Sequence, residues 1–497
     1  VRPRLIPLLL VPAVIASISG PAIALPPGQS DCASSRPTLS DDGTQVAFYS
    51  CGSTLVAGDT NGYHDVFVRD LRAGRTARVS VGTDGTEGNL GAGNSSISGD
   101  GRAVAFDSAA SNLVPGDTNS TSDIFVRDRD VDGDHVFDEP DAVTTVRVSV
   151  ADAGMEGDGT SSYASISADG RHVAFQSCAS TLVAGDTNGV SDVFVHDRDP
   201  DEDGIYDEPG QVSTVRVSLT AAGKQAAKGS LSFDGFTCAS FQSWNYISGD
   251  GRRVAFPSVS SDVVPGDTNQ TVDVFVHDRD ADEDGIFDEV GQPGAVTTIR
   301  ASVQKDGGQA NGGSVEPSIS RSGLQVAFSS GASNLGDGDT QMCQLPPNYT
   351  FNCMDIFTKD LVTGELAWAS RSSAGEPGSK SSFYANVSGD GRFTAFASDA
   401  TNFDPADDGG LDIFIHDNVT GTTSIVSDTA ANLPIGTRGA YPAIDLHGST
   451  LAFESSSPLL APPDANATQD IFVRAGGVMA IASVSDCPVP GCVSPPG

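Results

Sequence analysis

Basic side chains are scarce in this sequence. Its 497 residues carry 28 Lys and Arg against 65 Asp and Glu, a formal net charge of -37. That imbalance argues against nucleic acid and anionic membrane surfaces as partners, because both are held largely through positive charge. Long apolar runs are lacking too: beyond Ile15 none approaches the roughly 20 residues needed to cross a bilayer, so membrane insertion is not expected. No stretch of useful length shows the 3.6-residue apolar period of an amphipathic helix. There is no C-x-x-C pair, no G-x-S-x-G elbow and no H-E-x-x-H helix. Thiol-redox, serine-hydrolase and zinc-protease chemistries are left without their usual residues.

The amino-terminal segment reads as an export signal. Arg2 and Arg4 precede an apolar run from Leu5 to Ile15, and Ala22-Ile23-Ala24 supplies a small-x-small cleavage site. The expected layout is a signal peptide over 1–24, a lead-in over 25–36, a repeat domain over 37–484 and a tail over 485–497, with the mature chain secreted or periplasmic. Eight cysteines in an exported chain favour disulfides. Spacing and repeat position suggest Cys32 with Cys51, Cys178 with Cys238, Cys343 with Cys353 and Cys487 with Cys492.

Self-comparison is the most informative operation. The phrases QVAF, AVAF, HVAF, RVAF, QVAF, FTAF and TLAF end at Phe48, Phe106, Phe175, Phe256, Phe328, Phe396 and Phe453. Each is followed by a loop and a second β-rich phrase opening with Asp: Asp65, Asp123, Asp192, Asp273, Asp355, Asp412 and Asp470. A unit reads as four short strands, as in YASIS, RHVAFQS, DVFVHD and TVRVSL. Tandem four-stranded units close most naturally into an all-β propeller, which leaves only short sheet edges.

The pattern IS-x-DG-x-x-VAF followed by D-[VI]-F-V-x-D resembles the PD40 repeat of TolB-like propellers and covers Pro37 to Val484. The resemblance implies a β-propeller of four-stranded blades, with seven blades from the repeat count and the six-bladed TolB-like ring as the alternative. This chain departs from that group in carrying Ser-Gly-Asp-Gly or Ser-Ala-Asp-Gly where the group has Ser-Pro-Asp-Gly.

Two acidic signatures break the background. Units 2, 3 and 4 replace a short turn with DRDVDGDHVFDEP, DRDPDEDGIYDEPG and DRDADEDGIFDEVG. Carboxylates at loop positions 1, 3, 5 and 9 with Gly at 6 suit the oxygen shell of calcium, and the run resembles thrombospondin type 3 repeats. The expected ligands are Asp199, Asp201, Asp203, Asp207 and Glu208 in unit 3, and Asp280, Asp282, Asp284, Asp288 and Glu289 in unit 4. Unit 2 offers a poorer set, Asp130, Asp132, Asp134 and Asp138. The expected role of the calcium is structural. The second signature, GDTN at Asp59, Asp117, Asp186 and Asp267, reads either as a calcium site with the strand-opening Asp or as a metal-free Asx-turn.

Channel residues come from the first strand of each blade. The position just before its central residue varies while its neighbours repeat: Arg36, Asn94, Tyr163, Trp244, Glu316, Tyr384 and Tyr441. Four aromatics with Arg, Asn and Glu offer stacking and hydrogen bonding to a glycan or an extended peptide; inter-blade packing is the other reading. His196, His277 and His416 fall at a repeat-wide basic position and are expected to pair with turn acids such as Asp169 or Asp250. The expectation is a monomeric, secreted, calcium-stiffened module that binds protein or glycan at its top face. A polysaccharide lyase or hydrolase using the channel is the alternative.

Overall fold

A computed structural model describes residues 28–485 apart from 230–245, 290, 346–348, 405–409, 428–438, 459, 461–465 and 467. The proposed signal peptide, Cys238, Trp244, Cys487 and Cys492 lie outside the described residues. Seven four-stranded antiparallel sheets follow one another, each built from strands in chain order, and one two-stranded hairpin (Met342–Leu345 with Tyr349–Asn352) is inserted in the fifth. The molecule is a seven-bladed propeller, and the six-bladed alternative falls.

The repeat phrases explain the ring. Within each blade the two Phe residues are cross-strand neighbours, as Phe48 with Phe67 and Phe175 with Phe194, with ring centroids about 6 Å apart and side chains fully buried. On the opposite face of the third strand the residues are Val or Ile, apart from Thr358 in blade 5. Seven separate core clusters result, and each is an interface between neighbouring blades: Val193 and Val195 of blade 3 meet Phe256 and Phe275 of blade 4. The seventh interface sets Ile471 and Val473 of blade 7 against Phe48 and Phe67 of blade 1. Closure is reinforced by the lead-in, where Ser30 N donates to Ser483 O at 3.1 Å and Gln29 bridges Val484.

The Asp that opens each third strand is a lock. In blade 1 the buried Asp65 accepts from Ser80 Oγ, two residues past the fourth strand, at 2.5 Å, and Ser80 in turn accepts from Val66 N. Equivalent Ser–Asp bonds of 2.6–2.7 Å occur in the other six blades. In the first four blades an arginine of the fourth strand joins this lock to the GDTN acid. Arg78 Nη1 lies 3.4 Å from Asp65 and 3.5 Å from Asp59, and Arg147, Arg216 and Arg300 repeat the bridge. Asn61 Oδ1 accepts from Tyr63 N at 2.8 Å, an Asx-turn. The Asx-turn reading of GDTN is present and a guanidinium lies among its acids, while Asp59, Asp65 and Glu87 also bring one carboxylate oxygen apiece within 4.8 Å of one another.

At the lower end the turns hydrogen-bond from blade to blade. Asp41 N donates to Gly99 O, Gly99 N to Ala168 O, Ala168 N to Gly249 O and Gly249 N to Arg321 O, all at 2.8–2.9 Å. Leu446 N donates to Asp41 O, and Arg321 Nε reaches Asp41 Oδ1 at 2.6 Å. This ring accounts for the departure from Ser-Pro-Asp-Gly: proline has no N–H to donate. At Gly249 a side chain is unwelcome as well, since a Cβ there would stand 2.9 Å from Arg321 O. Replacing Ala168 with Pro should cost about 1–3 kcal/mol, the penalty for orphaning its half-buried partner, Gly249 O. Ala168→Gly retains the donor and should cost no more than about 1 kcal/mol. Urea unfolding of the two variants checks this.

Candidate functional site

Among the described residues, the first strand of six blades carries a bulge. In blade 1, Ser35 pairs with Tyr49 and Thr38 with Ala47, so Arg36 and Pro37 together oppose Phe48. Arg36, Asn94, Tyr163, Glu316, Tyr384 and Tyr441 all sit at this place with φ between 39° and 58°. Left-handed backbone is uncommon for any side chain but glycine, and for bulky residues it is a strained state that the surroundings must hold in place. A bulge re-aims its side chain. Here all six line one central cavity of about 160 Å³.

Carboxylates of neighbouring blades hold three of the strained residues. Arg36 N donates to Glu454 Oε2 at 3.1 Å, Tyr163 N to Asp107 Oδ2 at 3.2 Å and Tyr384 N to Glu316 Oε2 at 2.9 Å. Asp107 also accepts from Asn94 Nδ2, and Glu316 from Ser329 Oγ. The Arg36 guanidinium donates to Asn94 Oδ1 and lies 5.2 Å from the centre of the Tyr441 ring and 5.8 Å from that of Tyr163. Tyr384 and Tyr441 have centroids 4.2 Å apart. Tyr246 joins the lining where other blades place Ser96, Ser165 or Ser318. The arrangement offers flat rings, a guanidinium and fixed acceptors, the groups that grip a polar chain by stacking and hydrogen bonding.

Sequence reasoning missed Asp107, Glu454 and Tyr246. The signal was available: the residue after VAF and its counterparts is acidic only in AVAFDS and TLAFES, against Tyr49, Gln176, Pro257, Ser329 and Ala397 elsewhere. Burial raises the pKa of Asp107 and of Glu316. It pushes Glu454 up to about 7, against the hydrogen bond from Arg36 N.

The histidines belong to the scaffold. Nδ1 of His196, His277 and His416 shares a hydrogen bond of 2.8–2.9 Å with Thr214, Thr298 and Thr423, their cross-strand neighbours. The expected turn-acid partner is instead consumed by its own turn, Ser167 Oγ donating to Asp169 at 2.5 Å. Burial lowers His196 and His277 to about 4.

The acidic loops lie at the other end of the blades. In each, three carboxylates converge, with one oxygen apiece within 4.8 Å of the others: Asp130, Asp132 and Asp134; Asp199, Asp201 and Asp203; Asp280, Asp282 and Asp284. The ninth-position acids are engaged elsewhere. Asp207 pairs with the fully buried Arg198, whose Nε and Nη2 donate to it at 3.0 and 2.5 Å, and Asp138 and Asp288 do the same with Arg129 and Arg279. An aromatic ring closes each clamp, with Tyr206 4.8 Å from Arg198. Glu208 stands outside its triad. Glu289 lies within the influence of its own, since after burial the charges of Asp284, Asp282 and Asp280 raise its pKa. These clamps escaped a template that counts acids and overlooks the arginine between them.

Two expected disulfides form, Cys32–Cys51 and Cys343–Cys353. Cys178 is also disulfide-bonded.

No family model matches the sequence, and no curated protein matches it. Solved structures with a similar course of chain are propellers. The β-propeller domain of the Trilobed protease from Pyrococcus furiosus is 10% identical, with 91% of this chain and 97% of that one covered and a TM-score of 0.47. An oligogalacturonate lyase in complex with manganese is 10% identical over 89% of this chain and 90% of its own, with a TM-score of 0.46. TolB from Acinetobacter baumannii is 12% identical over 77% of this chain, with a TM-score of 0.36, and the chain spans 63% of its length. Likeness at this level concerns the fold alone.

The buried acid at Arg36 yields a pH dependence with a definite sign. Glu454 binds its proton more tightly folded than unfolded, so its contribution to stability is present below about pH 4.5 and lost as pH rises through about 7. Glu454→Gln should therefore flatten the melting temperature between about pH 5 and about pH 8 relative to wild type. Identical pH profiles for the two proteins would exclude this role for Glu454.

Proposed function

We propose that the chain is an exported propeller that binds a glycan or protein segment at its channel mouth and is stiffened by calcium in the loops of blades 2, 3 and 4. The observation that carries the reading is the mouth itself. Six strained, non-glycine residues, Arg, Asn, Glu and three Tyr, vary around the ring while the scaffold around them repeats, and strain maintained at a variable position marks a working surface. Their polar and aromatic character suits a hydrated chain better than an apolar ligand. Disulfides favour an extracytoplasmic setting, and the apolar run from Leu5 to Ile15 with its Ala22-Ile23-Ala24 site supplies the route.

The acidic triads support calcium because three converging carboxylates repel one another without a cation. Their clamps give them a fixed base: Arg198 and Arg279 hold the far end of each loop, so the cation adds charge neutralisation to a loop already shaped. Calorimetry should find at least two sites with dissociation constants on the order of 0.1 to 1 mM, and calcium should raise the melting temperature. Asp203→Asn should weaken binding, whereas Asp207→Asn should lower stability without calcium present. No heat and no thermal shift at saturating calcium would remove the metal from the reading.

The binding reading is tested by screening the mature chain against cell-wall glycans and extracytoplasmic proteins. Trp244→Ala should abolish capture while leaving the melting temperature close to wild type. A loss of about 3–5 kcal/mol, as for a truncated core aromatic, assigns Trp244 to packing instead.

A further inference from the structure

The fifth blade lacks the arginine on which the first four depend. In those blades the residue opposite the third-strand Phe is Arg78, Arg147, Arg216 or Arg300; opposite Phe357 it is Trp368. The exchange is accommodated locally. Gly336 stands where the other blades have Val56, Val114, Val183 and Val264, and a Cβ there would run into the Trp368 ring. The acid or amide that touches the arginine elsewhere, such as Glu87 or Gln309, becomes Pro377 at the matching bridge. Both acids of the bridge nevertheless remain, as Asp339 and Asp355.

We propose that the fifth blade holds a divalent, oxygen-seeking cation of the calcium class between Asp339 and Asp355, in place of the guanidinium that the first four blades supply. One oxygen of each acid is already used. Asp339 Oδ1 accepts from Gln341 N at 3.3 Å, and Asp355 Oδ1 accepts from Ser370 Oγ at 2.6 Å and from Trp368 Nε1 at 3.0 Å. The second oxygens, Asp339 Oδ2 and Asp355 Oδ2, are buried without a hydrogen-bond partner, in residues only 7% and 1% exposed. In blades 1 to 4 the matching oxygen of the strand-opening acid faces the guanidinium. Buried carboxylate oxygens left in that state are costly and call for a positive partner. Arg371 supplies positive charge only from a distance: its charge acts on both acids, but its Nη2 donates to Asp337 O at 3.1 Å, its guanidinium stacks 4.2 Å from the Trp368 ring, and among the described residues it forms no ion pair with either acid. The Cys343–Cys353 disulfide ties together the chain that leaves Asp339 and the chain that enters Asp355, so the two acids are brought together before any ion arrives. A hard cation uses such a pair of carboxylate oxygens and fills its remaining positions with carbonyls and water.

The indole that donates to Asp355 makes the site readable. Terbium, which substitutes for calcium, should give sensitised emission from the full mature chain when excited at the red edge where only tryptophan absorbs. The emission should be displaced by calcium, persist in Trp244→Phe and disappear in Asp339→Asn, which leaves the Ser370–Asp355 bond in place. The acidic loops of the opposite face do not contribute, because their rings are Tyr206, Phe137 and Phe287. Absence of emission from the wild type, as expected if the two carboxyls merely share a proton, overturns the proposal, as does emission that survives Asp339→Asn or vanishes in Trp244→Phe. Trp368→Arg gives an independent reading by restoring the built-in cation. Calorimetric titration of that variant should count one calcium site fewer than wild type, and an unchanged count overturns the proposal.

Discussion

The inner strand of every blade is an edge, and the rest of the structure answers to that constraint. A strand bonded on one side only presents N–H and C=O groups that need partners, and around a propeller axis the nearest available partners belong to the next blade. The chain meets this need at three heights. At the mouth, Glu454, Asp107 and Glu316 accept from the bulged residues of their neighbours. In the middle, Ser96, Ser165, Ser318 and Asn386 accept from Ile166, Ile247, Val387 and Ile444 N, each at 3.2 Å. At the base the turns bond backbone to backbone. The inner-strand Ser96, Ser165, Ser318 and Asn386, the Gly or Ala before Asp-Gly and the buried acids thus share one physical cause.

These bonds fix orientation, and apolar contact provides the cohesion. Each blade presents Phe on one face and Val or Ile beside Ala on the other, so large rings meet small branched side chains at all seven interfaces. Close packing of complementary sizes is what a dense interior requires. The Ser–Asp lock then pins the fourth strand, which is short and contributes little apolar surface of its own. Cohesion and orientation come from different residues of the same repeat, which is why a mouth residue can change from Arg to Asn to Tyr without disturbing the ring.

The blade count and core were legible because they repeat: seven VAF-type phrases and seven Asp-led phrases fall in register. The mouth was legible for the opposite reason, since its residues fail to repeat against that background. What escaped was cross-blade chemistry. Asp107 and Glu454 sit on second strands, and only the three-dimensional ring brings them under residues of the next inner strand. The partner of Asp207 was hidden because Arg198 lies within the acidic run itself, nine residues away. His196 was assigned an acid when its cross-strand neighbour Thr214 was already in reach, a pairing set by strand register that composition does not reveal.

The same arginines bear on the charge. With 28 bases against 65 acids, the placement of each base matters, and many are internal: Arg78, Arg147, Arg216 and Arg300 in the upper bridges, Arg129, Arg198 and Arg279 in the loop clamps, Arg36 in the mouth. Positive charge therefore works inside the fold, next to the acids that burial makes expensive, and leaves exposed loop carboxylates such as Asp201 and Asp282 uncompensated by side chains. Interaction between such exposed charges is screened over about 8–10 Å at ordinary ionic strength, so the blades do not repel one another strongly, but within a triad the separations are half that and screening is weak. Neutralisation there has to be local. Within each triad the carboxylates raise the cost of one another's charge, and the clamps at Arg129, Arg198 and Arg279 answer only the ninth-position acids.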